Sequence, residues 1–67
     1  MTRQEFGEML ADIRKKRGLT VRDLSAMTGL DKGHISRIET GKYSVGFDVL
    51  TRICDALCVK IELKKIL

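Results

Sequence analysis

The sequence predicts an all-α domain of four helices that is followed by a single C-terminal β-strand. Its 67 residues include no proline and few aromatic side chains, and leucine, isoleucine, alanine, lysine and arginine are frequent, as in helical domains. Apolar residues recur every three or four positions through most of the chain, and from Val59 onward they alternate with polar ones. A chain of this length holds one modest core, so we expect one domain over residues 1–67.

The first helix is predicted to begin with a capping box. Thr2 precedes Glu5 by three residues, a spacing in which each side chain accepts a hydrogen bond from the other's backbone amide. The apolar residues that follow at helical spacing, and are expected to be buried, are Phe6, Met9, Leu10 and Ile13. The basic run 14–17 suits a helix C-terminus, and Gly18 is expected to end the helix.

The second helix is predicted to be short. It begins after the N-cap Thr20, with Asp23 in its first turn, and it ends at Thr28 and Gly29. Its inward-facing residues are expected to be Val21, Leu24 and Met27.

Two further helices complete the helical part. The third runs from about Lys32 to Thr40, between the N-cap Asp31 and Gly41. The fourth begins near Gly46. Its inward-facing residues are expected to be Val49, Leu50, Ile53 and Leu57.

Charge and hydropathy limit the functions that the chain can have. A formal net charge of +4 favours a polyanionic partner such as nucleic acid. No apolar run reaches the roughly 18 residues that a membrane-spanning helix needs. The N-terminus also lacks the apolar stretch of a signal peptide. We therefore expect a cytoplasmic protein without a membrane partner.

The reactive side chains are too few for a catalytic or metal site. His34 is the only histidine, and the sequence shows no clustered carboxylates and no nucleophile beside a base, so we expect no enzyme activity. Cys54 and Cys58 have a spacing that is awkward for a disulfide, and a metal ion would need further ligands. We interpret them as ordinary thiols in or near the core, and we expect no cofactor, metal or small-molecule ligand.

The segment LSAMTGLDKGHISRIE, residues 24–39, contains the motif that points to a function. Two short helices joined by a turn that contains glycine must cross steeply. Ser25 is small enough to lie at the crossing, opposite Ile35, and Gly29 tolerates a positive φ in the turn. Leu30, Ile35 and Ile38 then attach the third helix to the rest of the domain.

In these features the chain resembles the lambda-repressor-like Cro/XRE family of helix-turn-helix proteins, over about residues 6–59. The matching features, in register, are the basic end of helix one before Gly18, Leu24-Ser25, Gly29, and Ile35-Ser36-x-Ile38-Glu39-x-Gly41-Lys42. The sequence differs from the family pattern at Ser25, where alanine is usual, and at Gly33, inside the third helix. It also differs at Cys58, where a C-capping glycine is common, so a left-handed residue is expected there.

The resemblance implies that the third helix enters the major groove of double-stranded DNA. The outward-facing residues expected to contact bases are Lys32, Gly33, Ser36 and Arg37. Arg37 matches the O6 and N7 atoms of guanine, although a purely solvated role is the alternative. Gly33 weakens a helix, and our hypothesis is that it lets the backbone approach the base edges closely.

Backbone contacts are expected from helix starts and the loop after the third helix. The phosphate-contacting residues are predicted to be Thr20, Val21, Arg22, His34, Thr40, Lys42, Tyr43 and Ser44. For Tyr43, packing over the loop is an equal alternative. The resemblance further implies a structural ion pair between Arg14 and Glu39, because a carboxylate on the inward side needs a partner.

The alternating tail is predicted to be a dimerisation strand over about residues 59–66. Two copies can pair antiparallel about a twofold axis, with Val59, Ile61 and Leu63 on the apolar face. Centring the axis on Ile61 or on Leu63 places opposite charges across the strands, whereas centring on Glu62 opposes like charges.

These features predict a sequence-specific transcriptional regulator, most simply a repressor that binds a near-palindromic operator as a homodimer. Half-sites would lie about 34 Å apart, one turn of DNA. The alternative is an antitoxin that binds a toxin protein and represses its own operon. A third interpretation is a helical protein-interaction module that binds no DNA.

Overall fold

The computed structural model describes all 67 residues and contains four helices. Their bounds are α1 (Arg3–Lys16), α2 (Val21–Thr28), α3 (Lys32–Glu39) and α4 (Phe47–Ala56). The all-α, four-helix prediction is therefore confirmed. None of these helices combines the length and the apolar character that crossing a bilayer requires.

The strand predicted for residues 59–66 does not form in the single chain, where residues 59–67 adopt no regular secondary structure. The physical reason is that a strand needs a neighbouring strand to satisfy its backbone donors and acceptors. No other segment of this chain is extended in that way, so the tail has no pairing partner within the chain.

Side-chain caps fix where the first three helices begin. The amide of Glu5 donates to Thr2 Oγ1 at 3.1 Å, and the amide of Thr2 donates back to Glu5 Oε1 at 3.0 Å. Thr20 and Asp23 form the same reciprocal box at 2.9 and 3.0 Å. Asp31 Oδ2 accepts from the Gly33 amide at 2.9 Å, whereas α4 begins at Gly46 without a side-chain cap.

The core is one cluster to which all four helices contribute. Its buried members are Leu10, Leu24, Ile35, Ile38, Ile53 and Leu57. Met9 and Met27 do not belong to it, because their side chains are 47% and 54% exposed, and the prediction that both face inward was wrong.

In α2 a threonine takes the buried place predicted for methionine. Thr28 lies about 40° from Leu24 around the helix axis and Met27 about 60° to the other side, so spacing alone does not choose between them. Thr28 is buried with its hydrogen bonds satisfied, since Oγ1 donates to the Leu24 carbonyl at 2.7 Å and accepts from the Leu30 amide at 3.2 Å.

Three helices end in the same hydrogen-bonded turn. In each, the amides of two consecutive residues beyond the helix donate to carbonyls of its last turn. The first of these two residues has a positive φ. Gly18 and Gly41 occupy this left-handed position after α1 and α3, but Cys58, with φ 57°, occupies it after α4. The expectation of a left-handed residue at Cys58 is confirmed.

Candidate nucleic-acid interface

α2 and α3 are joined by a tight turn of three residues, 29–31. Gly29 has φ 76°, as the sequence predicted, and ends α2. Ser25 is half-buried, and its hydroxyl donates to the carbonyl of Leu30. A residue expected only to be small thus also satisfies a backbone acceptor of the turn, which alanine could not do.

α3 has a buried side and an exposed side. Ile35 and Ile38 are 1% and 2% exposed and pack in the core. The exposed residues of α3 are Lys32, Ser36 and Arg37, and Thr40 directly after the helix is exposed as well. Three of the four predicted base-contacting residues therefore lie on the solvent side, whereas Gly33 is half-buried.

The Arg37 side chain lies beside Gly33. A Cβ atom placed on Gly33 would lie 3.4 and 3.5 Å from the two terminal guanidinium nitrogens of Arg37 and 3.0 Å from Asp31 Oδ2. The space left by the missing side chain is thus bordered by the protein's own charged groups. The close-approach hypothesis for Gly33 remains a prediction, and the Arg37 guanidinium borders the same space.

Tyr43 packs against the same face of α3. The Arg37 Cζ atom lies 5.0 Å from the centre of the Tyr43 ring, within the range of a cation–π contact. The His34 and Tyr43 rings meet edge to face, with centroids 5.4 Å apart. In the free chain the Tyr43 ring thus packs against side chains of α3, and its phosphate contact stays a prediction.

The predicted phosphate-contacting residues form two groups. At the start of α2, the amides of Val21 and Arg22 have no hydrogen-bond partner within the chain, whereas Thr20 is engaged with Asp23. The second group follows α3, where Lys42, Tyr43 and Ser44 are exposed. His34 and Thr40 have other contacts, since His34 meets Tyr43 and the Thr40 hydroxyl donates to the Ser36 carbonyl at 2.9 Å.

A buried ion pair holds α3 against α1. The Arg14 Nε and Nη2 atoms donate to the two carboxylate oxygens of Glu39 at 2.7 and 3.0 Å, and Nη1 donates to the Leu19 carbonyl at 2.7 Å. Arg14 is only 7% exposed. The hydrogen bonds to Glu39 raise the pKa of Arg14 above its usual value, so this buried guanidinium keeps its charge.

Two glycines that shape this region have packing roles that the sequence did not reveal. A Cβ on Gly7 would collide with the carbonyl oxygen of Ile38 and would lie 2.6 Å from that of Glu39. A Cβ on Gly41 would lie 2.6 Å from the Cα of Gln4. Both glycines let α1 pass directly over the end of α3. For Gly7 the only available signal was a small residue inside an amphipathic helix, which is weak by itself, and Gly41 was predicted only as the end of α3.

The two cysteines have different surroundings. Cys54 is buried, and this desolvation, together with the charge of Asp55, raises the pKa of its thiol. Cys58 is exposed, so the prediction that both thiols lie in or near the core holds for Cys54 only. Cys58 lies in the turn that ends α4, and the residue after it, Val59, packs against the core.

Two short helices that cross at a glycine turn, with the second presenting a polar ridge to solvent, define a helix-turn-helix domain. The family model described as helix-turn-helix domain matches residues 5–65. The chain belongs to this family, and the resemblance to its lambda-repressor-like Cro/XRE members is confirmed.

Similar proteins agree with this assignment. The chain is 45% identical over 60 residues to the HTH-type transcriptional repressor RghR of Bacillus subtilis, a match that covers 88% of this chain but only 44% of that repressor. The clp gene regulator ClgR from C. glutamicum is 28% identical with a TM-score of 0.87, over 91% of this chain and 78% of that one. The restriction-modification controller protein C.AhdI from Aeromonas hydrophila is 26% identical with a TM-score of 0.84, over 87% and 88%.

Proposed function

We propose that this chain binds double-stranded DNA as a homodimer and represses transcription by occupying a near-palindromic operator. The observation that supports the proposal most strongly is the exposed polar side of α3, where Lys32, Ser36 and Arg37 are free of the core. The relatives add support, because their names describe a transcriptional repressor, a gene regulator and a controller protein.

In this proposal α3 enters the major groove, and Arg37 reads guanine. Its planar guanidinium can donate to O6 and N7 together, which discriminates against other bases by about 1–3 kcal/mol. Lys32 reaches a guanine edge or a phosphate, Ser36 contacts a neighbouring base, and Gly33 leaves room for the groove floor.

Phosphate contacts on both sides of α3 set its register on the duplex. The free amides of Val21 and Arg22 lie at the positive end of the α2 dipole, next to the Arg22 side chain. The loop after α3 supplies Lys42, Tyr43 and Ser44 on the other side. Such contacts contribute affinity without sequence information, and the affinity falls steeply as salt rises.

The proposed dimer forms through the tail. Val59 packs against the core, but Ile61 and Leu63 are 42% and 96% exposed. Phe47 on α4 is 71% exposed and lines a surface groove together with these tail residues. A second tail, paired antiparallel about an axis at Ile61 or Leu63, would satisfy the strand backbone and cover these side chains. A dimer is required because one recognition helix reads too few base pairs to find a site in a genome.

Truncation tests the dimer directly. A chain that ends at Cys58 keeps all four helices, so we expect it to fold as a monomer in sedimentation equilibrium and to lose most operator affinity. A truncated chain that still sediments as a dimer would exclude the tail as the interface.

Selection from a random DNA pool, followed by two alanine variants, tests the DNA-binding proposal. Arg37→Ala should lose discrimination at one base pair of each half-site. Lys42→Ala should weaken binding to all sequences and reduce the slope of log affinity against log salt concentration by about one. Arg52→Ala, on the exposed side of α4, is the matched control for loss of one charge. No enriched sequence, with binding insensitive to salt, would instead indicate a protein-interaction module.

None of the relatives named above is described as an antitoxin. Repression without a toxin partner is therefore the function that we propose.

A further inference from the structure

We propose that Tyr43 is a positioning residue that holds the Arg37 guanidinium ready for guanine before DNA is bound. The inference rests on the proposed role of Arg37 in base recognition and adds one residue to it. Tyr43 would not need to touch a base to affect sequence discrimination.

The first supporting observation is that the guanidinium is placed between two neighbours. Its Cζ atom lies 5.0 Å from the centre of the Tyr43 ring, and its terminal nitrogens lie 3.4 and 3.5 Å from the position that a Gly33 Cβ would occupy. An exposed arginine ordinarily samples many rotamers, and these must be given up when it forms a bidentate contact. Contacts that already restrict the side chain reduce this loss on binding.

The second observation is that the loop that carries Tyr43 is anchored to Arg37, and that the Tyr43 ring has a second neighbour on α3. The amides of Lys42 and Tyr43 both donate to the Arg37 carbonyl, at 2.8 and 3.2 Å, so the loop is anchored to the residue that it positions. The His34 ring supports Tyr43 from its edge, with an angle of 85° between the ring planes. The ring face turned to Arg37 carries the negative part of the quadrupole, which attracts the cation.

The experiment compares Tyr43→Leu with Tyr43→Phe. Leucine removes the ring, whereas phenylalanine keeps the ring and removes only the hydroxyl that could contact phosphate. The readout is the ratio of affinities for the selected operator and for an operator in which the guanine assigned to Arg37 is replaced by adenine. We expect Tyr43→Leu to lower this ratio about two- to five-fold, the range of an exposed cation–π contact, and Tyr43→Phe to leave it unchanged.

The outcomes separate this inference from the proposed function. Arg37→Ala should lower the ratio about 10-fold or more, and Tyr43→Leu should have no further effect on the ratio when Arg37 is already alanine. If Arg37→Ala lowers the ratio but Tyr43→Leu does not, the positioning inference is wrong while the proposed function stands. If Tyr43→Leu weakens binding equally on both operators, the inference is likewise wrong, because Tyr43 then acts through phosphate. If Arg37→Ala leaves the ratio unchanged, base recognition by Arg37 itself is wrong.

A measurement on the free protein adds a second check. The ring current of Tyr43 should shift the side-chain protons of Arg37 upfield in the NMR spectrum, and Tyr43→Leu should abolish the shift. Arg37 protons at random-coil positions in the unmodified protein would overturn the inference without any DNA.

Discussion

Arg14 of α1 and Arg37 of α3 show how the surroundings of an arginine decide what its side chain does. Arg14 is 7% exposed and donates to three acceptors, two on Glu39 and one on Leu19. Arg37 is exposed, touches an aromatic face, and donates to no protein acceptor through its side chain. A guanidinium whose three nitrogens all donate to protein acceptors stabilises the fold, whereas one whose nitrogens are free of such acceptors is available to a ligand.

The largest expected effect is a loss of folding stability when the buried Arg14 is replaced. Arg14→Ala leaves Glu39 buried without its partner and should cost about 3–5 kcal/mol of unfolding free energy. Arg37→Ala should change stability by only about 0.5 kcal/mol, since it removes an exposed contact. Urea denaturation of both variants measures the difference, and similar losses for the two would invalidate the contrast.

The double variant Arg14→Met/Glu39→Leu sharpens the same point. Because both charges are removed together, it should regain most of the stability that Arg14→Ala loses. A double variant as unstable as the single one would show that packing, and not the unpaired carboxylate, causes the loss.

The next largest effect concerns the close approach of α1 to α3. Gly7→Ala forces a methyl group against two backbone carbonyls and should cost about 1–3 kcal/mol, despite alanine's higher helix propensity. Gly46→Ala is the matched control, because nothing lies within 4 Å of its Cβ position and its φ is −74°. Thermal unfolding should separate the two variants; equal Tm values would mean that the helices readjust freely.

A smaller, stabilising effect is expected at the end of α4. Cys58→Gly relieves a left-handed cysteine on an exposed position and should add about 0.5–1 kcal/mol, an increase in Tm of a few degrees. Cys54→Gly would instead remove a buried side chain and should destabilise. A decrease in the Tm of Cys58→Gly would indicate that the thiol has a role beyond the turn.

The smallest expected effect is pH-dependent. The hydrogen bonds from the Thr2 and Thr20 backbone amides, reinforced by their hydroxyl groups, lower the pKa values of Glu5 and Asp23 from the ordinary 4.5 and 3.8. A carboxylate with a lowered pKa in the folded state stabilises the fold above its unfolded pKa, and this stability is lost as the pH falls through the folded pKa. Glu5→Gln/Asp23→Asn should therefore reduce Tm at neutral pH and show a weaker decline below about pH 4.5. Parallel declines for both proteins would contradict this.

The sequence predicted what depends on local chemistry. The capping residues Thr2, Thr20 and Asp31 and the left-handed Gly29 are determined by neighbours within a few positions, and the structure has them as expected. The choice between Met27 and Thr28 could not be predicted in this way, because it depends on what packs against α2 and not on spacing.

Features that depend on distant partners were missed or stay predictions. The Cβ clash at Gly7 exists only because α3 ends beside α1, more than thirty positions later in the chain. The proximity of Tyr43 to Arg37 depends on how the loop after α3 folds back. The tail strand, in turn, requires a second chain, so the fold of one copy neither forms it nor excludes it.

Replacing guanines of the selected operator one at a time by 7-deazaguanine tests base recognition by α3 most directly. This substitution removes the N7 acceptor and leaves Watson–Crick pairing intact. One position per half-site should weaken binding by the unmodified protein about 10-fold and leave binding by Arg37→Ala unchanged. If no position discriminates between the two proteins, Arg37 does not contact a guanine N7, and α3 is not used in the way proposed.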